Sequence, residues 1–269
     1  MTVTWWLLSY PLLGIFGGFI AGLFGVGGGL TIVPILFMIF AAQGFPEAHI
    51  MHLALGTSMT TIVFTSISSM RAHHRHGAVR WDIVRAMAPG LLCGTFGGSL
   101  FAGLVPTRPL VMVFTGLVYY ASVQMMLDFK PQAHRQLPGP GGLFAAGSVI
   151  GIISSLVAAG GGFLSIPFML FCNVAIHSAV GTSSALGLPI AIAGMIGYIV
   201  AGWGAADLPA HTLGYIYLPA LLGVVALSML AAPYGAKLAH RLPVKQLKRA
   251  FGLFLALLAS KMVHSLLTG

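Results

Sequence analysis

Charged side chains are scarce in this chain of 269 residues, of which only 6% are Asp, Glu, Lys or Arg. Soluble proteins carry about 25% charged residues, so this chain lacks the polar groups that would cover a water-facing surface. Hydrophobic residues make up 58% of the chain, and its mean hydropathy is +0.97. The composition therefore excludes a soluble globular domain and indicates an integral membrane protein.

Cysteine and acidic residues are also few. The two cysteines, Cys93 and Cys172, lie inside apolar runs, which leaves no disulfide framework and no CxxC metal site. An intramembrane enzyme would need a nucleophile–base pair or metal ligands within the bundle. The deep segments contain serines and threonines but no acid, and their few histidines lie at segment ends. We therefore expect no enzymatic activity, no metal and no cofactor.

Basic residues outnumber acidic ones, and the formal net charge is +9. The Lys and Arg residues cluster in short loops, as they do on the cytoplasmic side of membrane proteins. Binding to nucleic acid would need a basic soluble domain, so we expect no nucleic-acid partner. The expected partners are the lipid bilayer and a small substrate, and a homo-oligomer is an open alternative.

Long apolar runs, rather than short alternating strands, fill the chain. A helix that crosses a hydrocarbon core of about 30 Å needs about 20 apolar residues, whereas a β-barrel would show short alternating segments. The sequence thus predicts an all-α integral membrane protein that forms a single membrane domain over residues 1–269. The apolar runs lie at about 7–42, 51–70, 86–105, 109–127, 141–173, 178–201, 213–235 and 246–267.

Three consecutive glycines interrupt each of the two longest runs. The stretch "LFGVGGGLTIVP" at Leu23–Pro34 recurs as "LVAAGGGFLSIP" at Leu156–Pro167. Because glycine inside a helix costs about 1 kcal/mol relative to alanine, both runs are predicted to be broken helices. The half-helix after each break points free N–H groups at the reversal, and such an N-terminus attracts anions. The alternative is that the glycines only permit tight helix packing.

The chain repeats itself, with repeat one at 7–128 and repeat two at 141–267. The motif "HLALGTSMT" in the first matches "HSAVGTSSA" in the second. Hydroxyl groups can donate to an anion without carrying charge, although Ser and Thr in helices often bond their own backbone. We interpret the following as candidate substrate-binding residues: Gly27, Gly28, Gly29, Thr57, Ser58, Gly160, Gly161, Gly162, Thr182, Ser183 and Ser184.

Two histidines, His52 and His177, occupy matching positions at the start of a plain helix in each repeat. A histidine can carry a proton near neutral pH, so the pair is a candidate for proton coupling. The alternative is a polar residue that merely lies at a helix entrance.

The basic loops change place between the repeats. In repeat one the basic loop follows the second segment, and in repeat two it follows the third. The positive-inside rule is then satisfied if each repeat crosses the membrane three times and its broken segment is a re-entrant hairpin. This interpretation predicts two inverted-topology repeats, with both termini on the outer face and only Arg108 and Lys261 among the Lys and Arg outside. A broken helix that spans fully is the alternative.

The quoted motifs, in particular "GLFGVGGGLTIVPIL", "ALGTSMT", "AAGGGFLSIPFML" and "AVGTSSALG", resemble those of the TauE/SafE family of sulfite exporters and organosulfonate permeases. The resemblance covers nearly the whole chain. It implies a plasma (inner) membrane permease that moves small sulfur-containing anions by secondary transport. Inverted repeats with broken helices suggest alternating access with the anion held near the midplane. An anion channel, or a transporter of a small non-sulfur organic anion, is the alternative.

Overall fold

The computed structural model describes residues 3–24, 28–127, 136–239 and 244–268, and in these ranges the chain is helical apart from short turns and one small β-hairpin. In chain order the elements are α1 Val3–Phe24, α2 Gly29–Ala42, α3 Ile50–Arg75, α4 Trp81–Leu104, α5 Thr107–Met126, α6 Pro140–Val157, α7 Gly162–Phe171, α8 Ile176–Gly202, β1 Thr212–Leu213, β2 Ile216–Tyr217, α9 Leu218–Ala239 and α10 Val244–Thr268.

Five of these helices, α3, α4, α5, α6 and α8, are long and apolar enough to cross a membrane, judged by length and composition over the described residues. Shorter apolar stretches occur in α1, α2, α7 and α9. Many large apolar side chains on the outside of the bundle are exposed, among them Leu12, Leu104 and Leu222, as a lipid-facing surface requires. The prediction of an all-α membrane protein is confirmed.

Two helices, α3 and α9, begin or end at residues other than the bounds of the predicted apolar runs. Helix α3 continues beyond the apolar run as far as Arg75, because a polar helical turn is stable once it has left the hydrocarbon. The run predicted at 213–235 begins in the β-hairpin, and α9 starts only at Leu218. The two strands of this hairpin pair Thr212 with Tyr217.

Both predicted helix breaks occur at the glycine triplets. Helix α2 begins at Gly29 after the N-cap residue Gly28, whose φ is 74°, and α7 begins at Gly162 after Gly161, whose φ is 52°. Positive φ is accessible to glycine because it lacks a Cβ atom. The glycines therefore supply the backbone angles with which each second helix starts.

Helices α1 and α2 run antiparallel to each other. Tyr10, near the start of α1, donates from its hydroxyl to Gln43 Oε1 just after α2, over 2.9 Å. Its ring also lies 6.5 Å from that of Phe40, measured between centroids. Further along α1, Gly17 packs against Ile32, which lies near the start of α2. The chain therefore turns back on itself at the first break.

Helices α3 and α8, which contain the two copies of the GTS motif, also run antiparallel. Met59 packs on Gly194, and seven residues later in α3 Ser66 packs on Gly187, seven residues earlier in α8. The same direction of pairing holds for α5 and α10, where Ser122 Oγ donates to the Gly252 carbonyl over 2.7 Å and Tyr119 contacts Ser260. The two helices of each of these pairs thus point in opposite directions.

The first helix of each broken segment packs in parallel against a helix of the other half. Helix α1 lies on α9, with Gly14 against Val224 and Gly18 against Ser228. Helix α6 lies on α4 in the same way, with Gly94 of α4 against Ser148. A Cβ atom on any of these three glycines would overlap the opposing backbone, so the close approach of these helices depends on small residues.

Candidate functional site

The two helix breaks touch each other inside the bundle. Gly29, the first residue of α2, lies so close to Ala158 at the end of α6 that a Cβ atom on Gly29 would overlap the Ala158 carbonyl oxygen. Both residues are buried, and Ala158 has a φ of 48°. The sequence predicted two broken helices that hold the anion between them, and the structure places the two breaks in direct contact.

Each break presents the N-terminus of a helix. The Gly28 carbonyl accepts the N–H groups of Thr31 and Ile32 at 3.0 and 2.9 Å, and the Gly161 carbonyl accepts that of Ser165 at 3.0 Å. The N–H groups of the first helical residues have no acceptor within their own helix, and the helix dipole adds partial positive charge there. Both tips can therefore donate to an anion.

The two tips have different neighbours. Gly161 packs against α8, where a Cβ atom would lie 2.7 Å from the Ser183 carbonyl oxygen and 3.0 Å from the Gly187 nitrogen. Gly28 instead packs on Gly17 and Ala21 of α1. Gly161 thus contacts the helix that contains the GTS motif of its own half, whereas Gly28 contacts α1, the helix that precedes it.

The three remaining residues of the two glycine triplets lie beside Gly161 or outside the described residues. Gly160 and Gly162 are buried beside Gly161, and the Gly162 N–H donates to the Gly160 carbonyl. Gly27 lies outside the described residues. The structure thus brings together five of the six predicted glycines at or beside the contact between the breaks.

The threonines of the two GTS motifs make equivalent hydrogen bonds. The Thr57 hydroxyl oxygen accepts the backbone N–H of Tyr217 at 3.0 Å, and the Thr182 hydroxyl oxygen accepts that of Arg80 at 3.0 Å. Both threonines are buried. Part of the hydrogen-bonding capacity of each predicted ligand hydroxyl is thus used by the backbone of the other half.

The serines of the motifs differ from one another. Ser58 is fully buried and its Oγ has no hydrogen-bond partner, an arrangement that costs free energy unless something binds there. Ser183 is also buried, whereas Ser184 is half-buried and donates to the Val180 carbonyl over 3.0 Å. Among the predicted hydroxyls, Ser58 has the strongest requirement for a partner.

Ser58 lies one turn before a residue of α3 that reaches the first break. Ile62 would lie 3.1 Å from a Cβ atom on Gly29, and residues four apart share one face of a helix. Thr31, in the first turn of α2, is likewise fully buried with an unpartnered hydroxyl. Two buried hydroxyls without partners thus lie within four residues of the positions that meet at the first break.

The matched histidines lie in different environments. His52 is 2% exposed, and its Nε2 lies 3.1 Å from the Ala102 carbonyl and 3.0 Å from the Val105 carbonyl. Because carbonyls only accept, Nε2 carries a proton, while Nδ1 is buried without a partner. His177 is exposed at the start of α8. Of the two, His52 alone is buried, with a ring nitrogen that has no hydrogen-bond partner.

One known protein family matches nearly the whole chain. The family model described as Sulfite exporter TauE/SafE matches residues 10–262. The chain belongs to the TauE/SafE family. The resemblance seen in the motifs is thereby confirmed, and the protein is a membrane transporter of that family.

Two relatives match almost the whole chain. A probable membrane transporter protein of Haemophilus influenzae is 40% identical over 257 residues, which cover 95% of this chain and 97% of that protein. The probable membrane transporter protein YdhB of Bacillus subtilis is 28% identical, over 91% of this chain and 93% of its own length. No solved structure matches the chain.

Sequence reasoning missed two residues that surround His52 in this TauE/SafE protein. The Tyr215 ring stacks on His52 with centroids 4.8 Å apart, and His49 lies 5.7 Å from Tyr215 and 6.3 Å from His52. Burial raises the pKa of the Tyr215 phenol, which keeps this ring neutral. Tyr215 belongs to the β-hairpin segment, so its position depends on long-range folding that a single sequence does not reveal.

Proposed function

We propose that this TauE/SafE protein is a secondary transporter that moves a small sulfur-containing anion, such as sulfite or an organosulfonate, across the plasma membrane by alternating access. The contact between the two helix breaks carries the proposal, because it places the anion-attracting N-terminus of α2 against the buried second break, from which α7 starts four residues after Ala158. The family description, Sulfite exporter TauE/SafE, supports sulfur chemistry in the substrate.

The donors around the breaks suit a small, weakly charged anion. Among the residues whose side-chain burial the structure describes, no Lys, Arg, Asp or Glu is buried. An anion there would be held by backbone N–H groups and hydroxyls, which bind oxyanions without a full counter-charge. We assign the binding role to the glycine triplets, with the hydroxyls of Thr57, Ser58 and, in addition, Thr31 on the side of the first break. The hydroxyls of Thr182, Ser183 and Ser184 serve the side of the second break.

We further propose that the halves 7–128 and 141–267 are inverted repeats. A two-fold axis in the membrane plane makes equivalent helices point in opposite directions, whereas an axis along the membrane normal would make them parallel. The antiparallel pairs α3–α8 and α5–α10 support the first arrangement. The antiparallel α1–α2 pair supports a re-entrant hairpin, which leaves three crossings per half and both termini on the outer face.

Proton coupling is assigned to His52 alone. Its Nδ1 is buried and unpartnered, so gain of a proton there changes the charge of a desolvated group and must be compensated by an anion or by a conformational change. His177 is exposed at the start of α8. The two histidines thus form a natural pair of test residue and control.

Flux measurements in proteoliposomes test the proposal. Efflux of isotope-labelled sulfite or of a small alkanesulfonate should saturate with concentration, and should fall sharply when Gly28 or Gly161 is replaced by leucine. Gly97→Leu is the matched control, because a side chain there meets open space. Flux that stays linear with concentration would identify a channel, and saturable flux of acetate but not of sulfur anions would identify a transporter of organic anions.

A further inference from the structure

The two GTS motifs make the same contact twice, at places related by the repeat. Thr57 holds the N–H of Tyr217, the residue before α9, and Thr182 holds the N–H of Arg80, the residue before α4. Each threonine lies in one half of the chain and each bonded N–H in the other. We call these two contacts the Thr57 clip and the Thr182 clip.

The glycine before each threonine completes the contact. A Cβ atom on Gly56 would overlap the Tyr215 carbonyl oxygen, and one on Gly181 would lie 2.7 Å from the Ala78 carbonyl oxygen. In both halves the glycine thus admits the residue that lies two positions before the bonded N–H. Glycine and threonine act together, the first by making room and the second by satisfying an N–H at the start of a helix.

The clips lie near opposite ends of the bundle. Because α3 and α8 are antiparallel with Ser66 beside Gly187, Thr182 lies level with the last part of α3. The separation from Thr57 is about 14 residues along the axis, or roughly 20 Å at 1.5 Å per residue. One clip therefore joins the halves near one face of the membrane and the other joins them near the opposite face.

We infer that Thr57 and Thr182 are positioning residues that each hold one face of the transporter closed. In alternating access only one face opens at a time, so the clip at that face must break while the other persists. Both clips are formed in this structure, which corresponds to a state closed at both ends. Loss of one threonine oxygen then favours opening at its own face only, which gives the two motifs opposite effects on sidedness.

This inference rests on the proposed alternating access but not on the identity of the anion. Cysteine labelling without any substrate therefore tests the role of the clips separately from the identity of the anion. Ala54 and Ala179 are equivalent residues, each fully buried and one turn before its threonine. In a chain with Cys93 and Cys172 replaced by alanine, A54C and A179C report access from the two faces to a membrane-impermeant maleimide, applied to either side of sealed vesicles.

The expected result is a crossed pattern. Thr57→Val should speed the labelling of A54C about fivefold, the factor that loss of one hydrogen bond typically gives, and leave A179C unchanged or slower. Thr182→Val should do the reverse. Thr57→Ser and Thr182→Ser keep the oxygen and should label like the parent protein.

Thr61→Val is the matched control, since Thr61 is equally buried but its hydroxyl bonds the Thr57 carbonyl within the same helix. Size-exclusion profiles and melting temperatures establish that each variant is folded. If Thr57→Val and Thr182→Val affect both reporters equally, or neither reporter, the clips do not control sidedness and the inference is wrong. A crossed pattern without sulfite flux would instead preserve the clips and overturn the proposed substrate.

Discussion

Replacing Gly29 by alanine is the sharpest test of the contact between the two helix breaks. The added Cβ atom would overlap the carbonyl oxygen of Ala158 and approach Ile62 to 3.1 Å. The oxygen belongs to the backbone and cannot rotate away, so the breaks must separate. Overpacking of this kind costs about 1–3 kcal/mol. We expect Gly29→Ala to destabilise the conformation in which the breaks touch by this amount.

The same change at Gly116 provides the comparison. That residue lies inside α5, where a Cβ atom meets nothing within 4 Å. Alanine is favoured over glycine in a helix by about 1 kcal/mol, so Gly116→Ala should be neutral or stabilising. Because both changes add one methyl group inside or at the start of a helix, the difference between them isolates the contact with Ala158.

The melting temperature and the transport flux both measure the effect of Gly29→Ala. At about 2–4 °C per kcal/mol for a chain of this size, Gly29→Ala should lower the melting temperature by roughly 2–12 °C. A loss of 1–3 kcal/mol also lowers the equilibrium ratio of touching to separated conformations by about 5- to 150-fold, so saturable flux should fall. Equal melting temperatures and fluxes for Gly29→Ala and Gly116→Ala would refute the contact.

Three further predictions address the donors, the proton and the topology. Ser58→Ala should leave the melting temperature unchanged or higher, because the Ser58 hydroxyl has no protein partner. It should raise KM for the anion about tenfold or more, which is the effect of losing a hydrogen bond to a charged group. An unchanged KM would show that Ser58 does not bind the anion. His52→Gln should abolish the dependence of flux on an imposed pH gradient, while His177→Gln should keep it, and equal behaviour of the two variants would contradict coupling through His52. A reporter domain fused after Gly269 should be active only on the outer face, and cytoplasmic activity would invalidate the proposed topology.

The helix breaks could be predicted from the sequence because their cause is local. A glycine triplet raises the cost of a continuous helix wherever it occurs, and the structure breaks both helices there. The antiparallel α3 and α8 accord with a topology deduced only from the placement of basic loops. Both inferences needed the repeat, since one triplet or one loop by itself would have had several explanations.

The clips could not be predicted, because each joins residues that are more than 100 positions apart. Nothing near Thr57 in the sequence indicates that its oxygen accepts the N–H of Tyr217. The unequal environments of His52 and His177 have a related origin. In the part of the chain that the structure describes, a β-hairpin precedes α9 in the second half and none precedes α4 in the first. Tyr215 from that hairpin stacks on His52.

The parallel seams α1–α9 and α4–α6 have a consequence for biogenesis. Gly14 of α1 packs on Val224, a residue that the ribosome adds only after some 210 further residues, which takes about 10–40 s at 5–20 residues per second. During that interval the α1–α2 hairpin has no seam partner, while α6 finds α4 already synthesised. We expect the nascent chain to pack α6 on α4 before α1 finds its partner, and the α1–α2 hairpin to be the part that membrane chaperones and proteases encounter.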